Sequence, residues 1–495
     1  MKRFYPLFVF FFFIINHSQS QSVKPRLIVL ADMGNETDEV QQMHHLLMCS
    51  NAIDIEGLIA VTGIFLQPSN PTAYRSVTHP ELFQKLIDGY EKVYPNLNLH
   101  AKGWPPPFGL RIKVSSGQPE YGMSGVGDGK STEGSNWIIN RVTQDDSRPI
   151  HVVINAGSNT LAQALYDYRK THTTKEVDAF VEKLRVYENA AQDEAGAWIN
   201  NQFPKIHWIR SIHQTKNFGG PDNKNLGPHN WKPFPYTSKG QDDWAHEHVR
   251  SAHGALGELY PMRQHTETDQ AFDNPPFIEG GGTIPWMSLV PHGLTDPSEQ
   301  TWGGWSGRFG AKKVKNVPSR IGRVKPHEEV YKPWEVYTDA IDHWVDPETG
   351  IEYHDENTAI WPWRQAMWND LHARMDWCIK TYKEANHHPV AVINGDSSDQ
   401  IVRVSAKVED KLDFDALAST DPDRDSLDYK WWIYPEAGMK PYGTELSIEN
   451  ADQAKISITV PNDAKGKELH LILEVWDESE IVPLVDYRRV VISVE

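Results

Sequence analysis

The chain has 495 residues, a formal net charge of −18, and 39% hydrophobic residues. This length and composition predict a globular protein with ample core and room for two or three domains. The negative charge argues against a nucleic acid or an anionic membrane surface as partner. The 18 tryptophans are many for this length, and indole faces are good platforms for sugar rings.

Residues 1–20 have the pattern of a signal peptide. Lys2 and Arg3 precede a short apolar core, Leu7 to Ile15, and Ser18-Gln19-Ser20 is a small-x-small cleavage site. The apolar core is too short to span a bilayer. We therefore expect an exported protein, periplasmic or secreted, whose mature chain starts near Gln21 and does not insert into the membrane.

Strands and helices alternate from the first apolar run, Leu27–Leu30, onwards. The predicted helices are Asp38–Cys49, Pro80–Val93 and Leu161–Arg169, and the further predicted strands are Ile55–Thr62 and Ile150–Ile154. Such alternation predicts βαβ units, and hence an α/β domain with a mainly parallel sheet flanked by helices. Residues 210–345 have weak periodicity, which is typical of long functional loops, and an amphipathic helix at Trp361–Lys383 closes the domain.

Past Asn386 the pattern changes to short alternating strands separated by turn residues. This predicts a smaller all-β, immunoglobulin-like sandwich over residues 387–495. The first strand of the sandwich is predicted at VAVIN, Val390–Asn394. The stretch ASTDPDRDSLDYKWWI resembles polycystic-kidney-type modules. Asp421, Asp423 and Asp425 in it could bind calcium, but a turn hydrogen-bonded to its own backbone is the more common arrangement.

Four acidic side chains crowd the turn after the first strand: Asp32, Glu36, Asp38 and Glu39. In open α/β sheets the ligand site lies at the carboxyl ends of the strands. Carboxylates this close repel one another unless a cation lies among them, so the turn predicts a hard divalent cation with oxygen ligands. The alternative is a solvated helix start whose acidic residues are favoured by the helix dipole.

The turn ADMGNETDE resembles the cluster D-x-D-x-x-x-D-D with which nucleoside hydrolases hold calcium. Asp32 matches the first aspartate, Asp38 and Glu39 match the closing pair, and the aspartate that acts as general base in that family falls on Gly34. A closer resemblance, from about Lys24 to the end of the chain, is to the nucleoside-hydrolase-like family often described as cellulose-binding proteins. It implies a nucleoside-hydrolase-like domain over residues 21–386, followed by the sandwich.

This resemblance also implies where a metal shell would lie. The loop after the strand HVVIN resembles the one that supplies a metal-binding carbonyl, which falls on Asn159, and a late aspartate, Asp296 or its rival Asp370, would complete the shell. The predicted ligands of a divalent cation, expected to be calcium, are Asp32, Asp38, Glu39, Asn159 and Asp296. The predicted catalytic carboxylates are Asp32, Asp38 and Glu36.

The predicted substrate-binding residues lie in loops: Asn35, Lys130, Asn159, Gln192, Asp193, Glu279, Trp302, Trp305 and Arg308. The glycines around Trp302 and Trp305 would let the backbone approach a ligand closely, and Arg308 would add a carboxylate fork to a tryptophan wall. Lys130 could equally face solvent, and Gln192 and Asp193 could lie in an exposed acidic loop.

Two other patterns do not match the motif that they suggest, and the two cysteines leave their pairing open. The stretch Gly125–Ser131 is not a P-loop, because the first glycine of that motif would be Ser124 and no apolar strand runs into it. The histidines 246, 248 and 253 lack zinc spacing and are interpreted as helix-surface residues. The two cysteines, Cys49 and Cys378, lie in apolar helical patterns, and the sequence leaves open whether they pair.

Three functions fit these patterns. The preferred one is an exported enzyme that hydrolyses glycosidic bonds of polysaccharide-derived oligosaccharides with the help of a metal. The first alternative is a lyase or dehydratase that performs an elimination on a uronic-acid residue, with the metal or Arg308 neutralising the carboxylate. The second is a non-catalytic carbohydrate-binding protein. The sugar, its linkage and the oligomeric state are left open.

Overall fold

The computed structural model describes residues 23–35, 37–216, 244–261, 281–347 and 350–495. Two predicted site residues, Glu36 and Glu279, lie outside the described residues, as does the predicted signal peptide.

Eight strands form one large sheet. They are β1 (Arg26–Ala31), β2 (Asp54–Ala60), β3 (Val114–Ser116), β4 (Ile150–Ile154), β5 (Leu184–Asn189), β6 (His207–Ser211), β7 (Val314–Lys315) and β8 (Glu335–Thr338). The order across the sheet is β3-β2-β1-β4-β5-β6-β8-β7, and every neighbouring pair is parallel except β7 and β8. The predicted mainly parallel sheet is therefore confirmed.

The strand order reverses direction beside β1. From β1 the chain builds β2 and β3 on one side, and then crosses back to place β4, β5 and β6 on the other. A crevice opens outside the carboxyl ends of the strands at such a switch point, and it is where open α/β sheets bind their ligands. Asp32, which follows β1, and Asn155, which follows β4, are the residues that border it.

Helices cover both faces of the sheet. They are α1 (Thr37–Met48), α2 (Pro80–His100), α3 (Pro107–Arg111), α4 (Glu133–Val142), α5 (Asn159–Thr171), α6 (Thr174–Glu182), α7 (Ala195–Gln202) and α8 (Arg364–Asp376), with single helical turns at Gly254–Gly257, Ile284–Met287 and Lys325–Glu328. Side chains of β1 alternate between two cores: Leu27 and Val29 join one, and Ile28 and Leu30 join the other. Among the described helices, none is both long and apolar enough to cross a membrane.

Several element boundaries differ from the predictions. The second helix runs to His100 and carries Pro95 inside it. The predicted closing helix is shorter, because a 3-10 turn with Pro362 inside it occupies Thr358–Trp363 and α8 begins only at Arg364. The stretch 210–345, interpreted as loops, contributes β7 and β8 to the sheet and holds β9 (Asp342–Val345), which pairs with β10 (Glu352–Asp355).

The C-terminal part is a β-sandwich, as predicted. Its strands are β11 (Val402–Ala406), β12 (Lys411–Asp415), β13 (Leu427–Ile433), β14 (Lys455–Thr459), β15 (Glu468–Asp477) and β16 (Val485–Val494), in sheets β11-β16-β15-β13 and β12-β14. The predicted strand VAVIN forms isolated bridges only, at Val390 and Ile393. In the aspartate turn, Asp421 Oδ1 accepts hydrogen bonds from the amides of Asp423 (2.8 Å) and Asp425 (3.0 Å), so the turn is bonded to its own backbone.

The sandwich and the α/β part share buried contacts. Arg489 of β16 is fully buried, and its guanidinium donates to the carbonyls of Leu294 (2.6 Å), Trp302 (2.9 Å) and Gly303 (3.0 Å). Tyr434, Val485 and Tyr487 of the sandwich belong to the same hydrophobic cluster as residues of α1 and α8. One continuous core therefore runs from the large sheet into the sandwich.

The two cysteines are free and buried. Cys378 Sγ lies 3.5 Å from the sulfur of Met48, and burial raises the pKa of the Cys49 thiol to about 12. These thiols therefore act as small apolar core groups. Of the three histidines interpreted as surface residues, His253 is instead buried, with Nε2 3.3 Å from Asp376 Oδ1, because it closes the contact between its loop and α8.

Candidate functional site

Three polar residues meet at the crevice beside the switch point. Asp32 follows β1, Asn155 follows β4 and Gln192 lies three residues beyond β5. Gly63 lies against them so closely that a Cβ atom there would come within 3.0 Å of both Asp32 Oδ2 and Gln192 Oε1. The carboxylate oxygen and the amide oxygen therefore lie side by side, in space that only a glycine leaves open.

Helix α1 adds Gln42 to this group. Asp38 and Gln42 are four residues apart, so they lie on one face of the helix. The amide of Asn155 donates to Gln42 Oε1, and Gln192 Nε2 donates to the carbonyl of Asn155 at 3.0 Å. We refer to Gln42, Asn155 and Gln192, together with Asn35 of the turn after Asp32, as the amide cluster. Asp32 lies next to Gln192, and Asp38 lies one helical turn before Gln42; both aspartates are buried, at 0% and 5% exposed.

The amide cluster has unused hydrogen-bonding capacity. Among the described residues we find no hydrogen-bond partner for either side-chain polar atom of Asn35, for Gln42 Nε2, for Asn155 Oδ1 or for Gln192 Oε1, although all are buried. A buried polar atom without a partner costs about 1–3 kcal/mol, so several in one place point to a ligand that supplies the partners. Donors and acceptors alternate here, and this mixture suits hydroxyl groups.

Backbone strain holds Gln192 in place. The two residues before it, Ala190 and Ala191, have φ values of 66° and 58°, and both are buried. The hydroxyl of Ser319 donates to both of their carbonyls, at 3.1 Å and 2.6 Å. Left-handed conformations of non-glycine residues cost about 1–3 kcal/mol and are concentrated at functional sites. The sequence carries no signal for this feature.

The position of the family's general base is closed. Gly34 has φ +94°, and a Cβ there would lie 2.6 Å from His79 Cδ2 and 3.0 Å from Tyr74 Cε1. The rings of Tyr74 and His79 are stacked with centroids 3.9 Å apart, and His79 is fixed by Glu81 and by the carbonyl of Tyr74. An aspartate at position 34 would need both a strained backbone and space that these rings fill.

The donor set at the crevice fits a hard cation in part. Asp32 Oδ2, Gln192 Oε1 and Asn155 Oδ1 are oxygen atoms, the ligand type that calcium and magnesium prefer. Asn159, predicted as the carbonyl donor, lies instead in the first turn of α5, where its side-chain amide donates to the carbonyl of Glu120 at 2.8 Å. Its carbonyl is thus part of a helix, and Asn155 offers the more accessible oxygen.

The two late aspartates that were candidates for the shell have other partners. Asp296 Oδ1 accepts from the amide of Ser298 at 3.0 Å, and Asp296 lines a separate small cavity beside Trp302. Asp370 accepts from Arg374 Nε at 2.7 Å and lies 2.8 Å from His388 Nε2.

His45, Cys49 and Asp370 also lie close together, with ligand atoms within 4.8 Å of one another. Arg374 already neutralises the carboxylate of that group, and burial keeps the Cys49 thiol protonated by raising its pKa to about 12. This group therefore does not suit a cation.

The glycine- and tryptophan-rich loop does not form a ligand wall. Trp302 and Trp305 are buried, at 3% and 1% exposed. The Arg308 guanidinium makes an ion pair with Asp342 at 2.6 Å rather than presenting a fork to a substrate. The loop's glycines do permit close approach, but of the sandwich: a Cβ on Gly303 would lie 2.6 Å from Tyr434 Cε1.

Two other predicted binding residues have structural roles. Asp193 accepts from the amides of Ser158 (3.0 Å) and Asn159 (3.2 Å), so it caps the N-terminus of α5. Burial, and then the charge of Glu194, raises the pKa of Asp193 well above its usual range. Lys130 is partly exposed and makes an ion pair with Glu120 at 2.9 Å.

The crevice contains or borders four residues that the sequence predicted for the site, Asp32, Asn35, Asp38 and Gln192, and two that it did not, Gln42 and Asn155. Both had signals: Asn155 ends the strand HVVIN at a carboxyl edge, and Gln42 lies one helical turn after Asp38.

Residues 26–309 match the family described as "Cellulose-binding Sde182, nucleoside hydrolase-like domain". Residues 411–494 match "Cellulose-binding protein Sde0182, C-terminal domain". No curated protein sequence matches the chain.

Among solved structures, the chain is similar to a nucleoside hydrolase-related hypothetical protein from Saccharophagus degradans that is associated with carbohydrate metabolism. The identity is 33%, the match covers 96% of this chain and 100% of that one, and the TM-score is 0.79. The PKD domain of human KIAA0319 is 12% identical over 22% of this chain and 80% of its own, with a TM-score of 0.15. A β-glucuronidase from Parabacteroides merdae is 10% identical over 89% of this chain and 50% of its own, with a TM-score of 0.15. The first of these likenesses and the two family matches agree, and the chain belongs to the Sde182 family of cellulose-binding proteins with a nucleoside hydrolase-like domain.

Proposed function

We propose that the protein is an exported carbohydrate-active enzyme that hydrolyses glycosidic bonds of polysaccharide-derived oligosaccharides at the crevice beside β1. The observation that carries this proposal is the set of buried amide atoms of Asn35, Gln42, Asn155 and Gln192 that have no partner within the described part of the chain, close to Asp32 and one helical turn from Asp38. A sugar ring offers several hydroxyl groups, each both donor and acceptor, which would satisfy them. The name of the family and the association of the Saccharophagus relative with carbohydrate metabolism support the same substrate class.

The residues have distinct roles in this proposal. The amide cluster orients the sugar, and Asp32 and Asp38 provide the carboxylates that glycoside hydrolysis requires, one to move a proton and one to stabilise the cationic ring. A divalent cation, with calcium as the first to test, would be held by Asp32, by Gln192 and Asn155 oxygens, and by the acidic start of α1. When bound, such an ion would orient a water molecule and lower its pKa.

Elimination on a uronic-acid residue is the second candidate, and the closed position at Gly34 favours it. The family's water-activating aspartate has no room there, since a Cβ would meet His79 at 2.6 Å. An elimination needs a base for a C–H group and no activated water. The same crevice would then bind the sugar while the cation neutralises its carboxylate.

One experiment separates these candidates. The mature protein is incubated with neutral and with uronate-containing oligosaccharides, with and without a chelator. Hydrolysis yields new reducing ends without absorbance, and elimination yields the ultraviolet absorbance of an unsaturated uronate. Binding without either product would leave a non-catalytic carbohydrate-binding protein and refute both enzymatic proposals.

Variants connect the outcome to the site. Asp38→Asn should abolish chelator-sensitive turnover, and it should also remove the rise in melting temperature that calcium gives the parent protein. The matched control is Asp452→Asn, an exposed aspartate in a loop of the sandwich. Turnover that survives in Asp38→Asn would refute the metal-assisted mechanism.

A further inference from the structure

We propose that the cleft between the α/β part and the sandwich is a second carbohydrate-binding site, suited to a neutral, β-linked oligosaccharide. The cleft has a volume of about 630 Å³, which lies within the range of about 300–1,000 Å³ typical of ligand sites. The ligand class rests on the proposed function, whereas the location rests on the residues that line the cleft.

Aromatic side chains from both parts of the chain line this cleft. Trp344 of β9 and Trp361 come from the α/β side, with ring centroids 5.4 Å apart. Trp432 of β13 and Tyr434 come from the sandwich, also 5.4 Å apart. Trp344 and Trp432 are only partly buried, so part of each indole ring is accessible in the cleft, beside the Arg364 guanidinium over the first ring (5.7 Å) and Lys430 Nζ over the second (5.8 Å). Flat rings on both walls suit a ligand that is flat and apolar on both faces.

A β-linked chain of pyranoses with equatorial hydroxyls has this shape. Its rings present C–H groups above and below, and its hydroxyls point outwards along the edges, so aromatic rings pack on the faces while polar groups bind the rim. The cleft rim is polar: Glu436, Glu445 and Ser447 line it, as does His343. An α-linked, helical chain would not lie flat between the two walls.

The charges in the cleft disfavour an anionic sugar. Its lining contains four carboxylates, that of Asp342, which pairs with Arg308, and those of Glu436, Glu445 and Glu474. Two nearby cations are already engaged: Lys430 Nζ lies 3.2 Å from Glu474, and the Arg364 guanidinium lies 5.7 Å from the centre of the Trp344 ring. The carboxylates outnumber the cations, so they would repel a uronate, whereas a neutral oligosaccharide would experience no such repulsion.

The cleft is distinct from the crevice beside β1. Its lining comes from β9, α8, β13, β15 and the loops next to them, and it shares no residue with Asp32, Asp38 or the amide cluster. The sandwich thus takes part in binding by supplying one wall of the cleft.

The test is calorimetric titration of the mature full-length protein with cellotetraose, xylotetraose, maltotetraose and a tetra-galacturonate. We expect the two β-linked neutral sugars to bind. Trp432→Ala and Trp344→Ala should each weaken that binding by at least about tenfold. Ser447→Trp, at an exposed lining position, should block the cleft without removing any core side chain. The control is Phe108→Ala on α3, whose ring is 72% exposed and lies outside the cleft.

The outcomes separate this inference from the proposed function. Unchanged binding in Trp344→Ala, Trp432→Ala and Ser447→Trp, or binding that is lost in Asp38→Asn instead, would overturn the cleft site. Absence of binding by every sugar tested would overturn it as well. Binding that depends on the cleft while the parent protein shows no turnover would support the inference and refute the enzymatic proposal.

Discussion

Replacing Gly63 by alanine should disable the crevice while leaving the fold intact. Gly63 does not have a positive φ, so its backbone accepts alanine without strain. The added methyl group would lie 2.8 Å from Asp32 Oδ2 and closer still to Gln192 Oε1. To reach ordinary contact distance, the carboxylate oxygen must retreat by about 0.6 Å and the amide oxygen by about 1 Å.

Displacements of this size have a large effect on catalysis. A misplacement of about 1 Å can cost about 100-fold in rate, which corresponds to about 2.7 kcal/mol of transition-state stabilisation. We therefore expect kcat/KM for oligosaccharide turnover to fall by about two orders of magnitude in Gly63→Ala. The melting temperature should stay close to that of the parent protein, because two side-chain ends have to shift and the third close neighbour, Ala156 Cβ at 3.3 Å, has to give by only a few tenths of an ångström.

The assay is product formation at several substrate concentrations, with melting measured on the same samples. Gly109→Ala is the control, because no atom lies within 4 Å of the position its Cβ would take. If Gly63→Ala kept kcat/KM within about threefold of the control, a difference under about 0.7 kcal/mol, the crevice beside β1 would not be where the reaction occurs.

Three further predictions concern stability and reactivity. Gly34→Asp should lower the free energy of unfolding by about 2–5 kcal/mol in chemical denaturation, since strain at a positive φ adds to overpacking against His79. The control is Gly129→Ala, which has φ +74° in open space and should show the strain alone. Equal losses of stability in the two variants would refute the steric argument. Burial alone would raise the pKa of Asp370, but Arg374 and His388 outweigh it and hold that pKa well below its usual range. The ion pair therefore stabilises the fold above about pH 4, and this stability is lost at lower pH. Asp370→Asn should therefore flatten the acid limb of a stability–pH curve, and an unchanged limb would contradict this assignment. A thiol reagent should leave Cys49 and Cys378 unmodified in the native protein and modify both in denaturant, and fewer than two reactive thiols in denaturant would show that the cysteines pair.

The part of the site that the sequence predicted is the part carried by short-range patterns. The apolar run of β1 fixes a buried central strand, and Asp32 follows directly from where that run stops. Asp38 was predicted because it begins a helix after a strand, whereas Gln192 was predicted from the family resemblance of its loop. Asn155 follows from the rule that ligand residues lie at the carboxyl ends of parallel strands, applied to β4. Gln42 follows from the helical spacing that puts it on the same face of α1 as Asp38.

The errors arose where a motif suits two purposes equally well. Glycines next to Trp302 and Trp305 predict close approach, but the sequence does not say of what, and here the partners are Tyr434 at Gly303 and Thr295 at Gly304. Arg308 pairs with Asp342, which lies 34 residues further along the chain, and no local pattern predicts such a pair. The strained pair Ala190–Ala191 gives no compositional signal at all, because it is held by Ser319 from another loop.

The burial of Arg489 has a consequence for how this architecture can change over evolutionary time. Its guanidinium binds three carbonyls in the α/β part, those of Leu294, Trp302 and Gly303. Removing the sandwich would leave those carbonyls without their donor and expose Trp302 and the ring contacts of Trp363. The α/β part and the sandwich are therefore not independent modules. We expect them to be inherited together, lost together and unfolded in one transition.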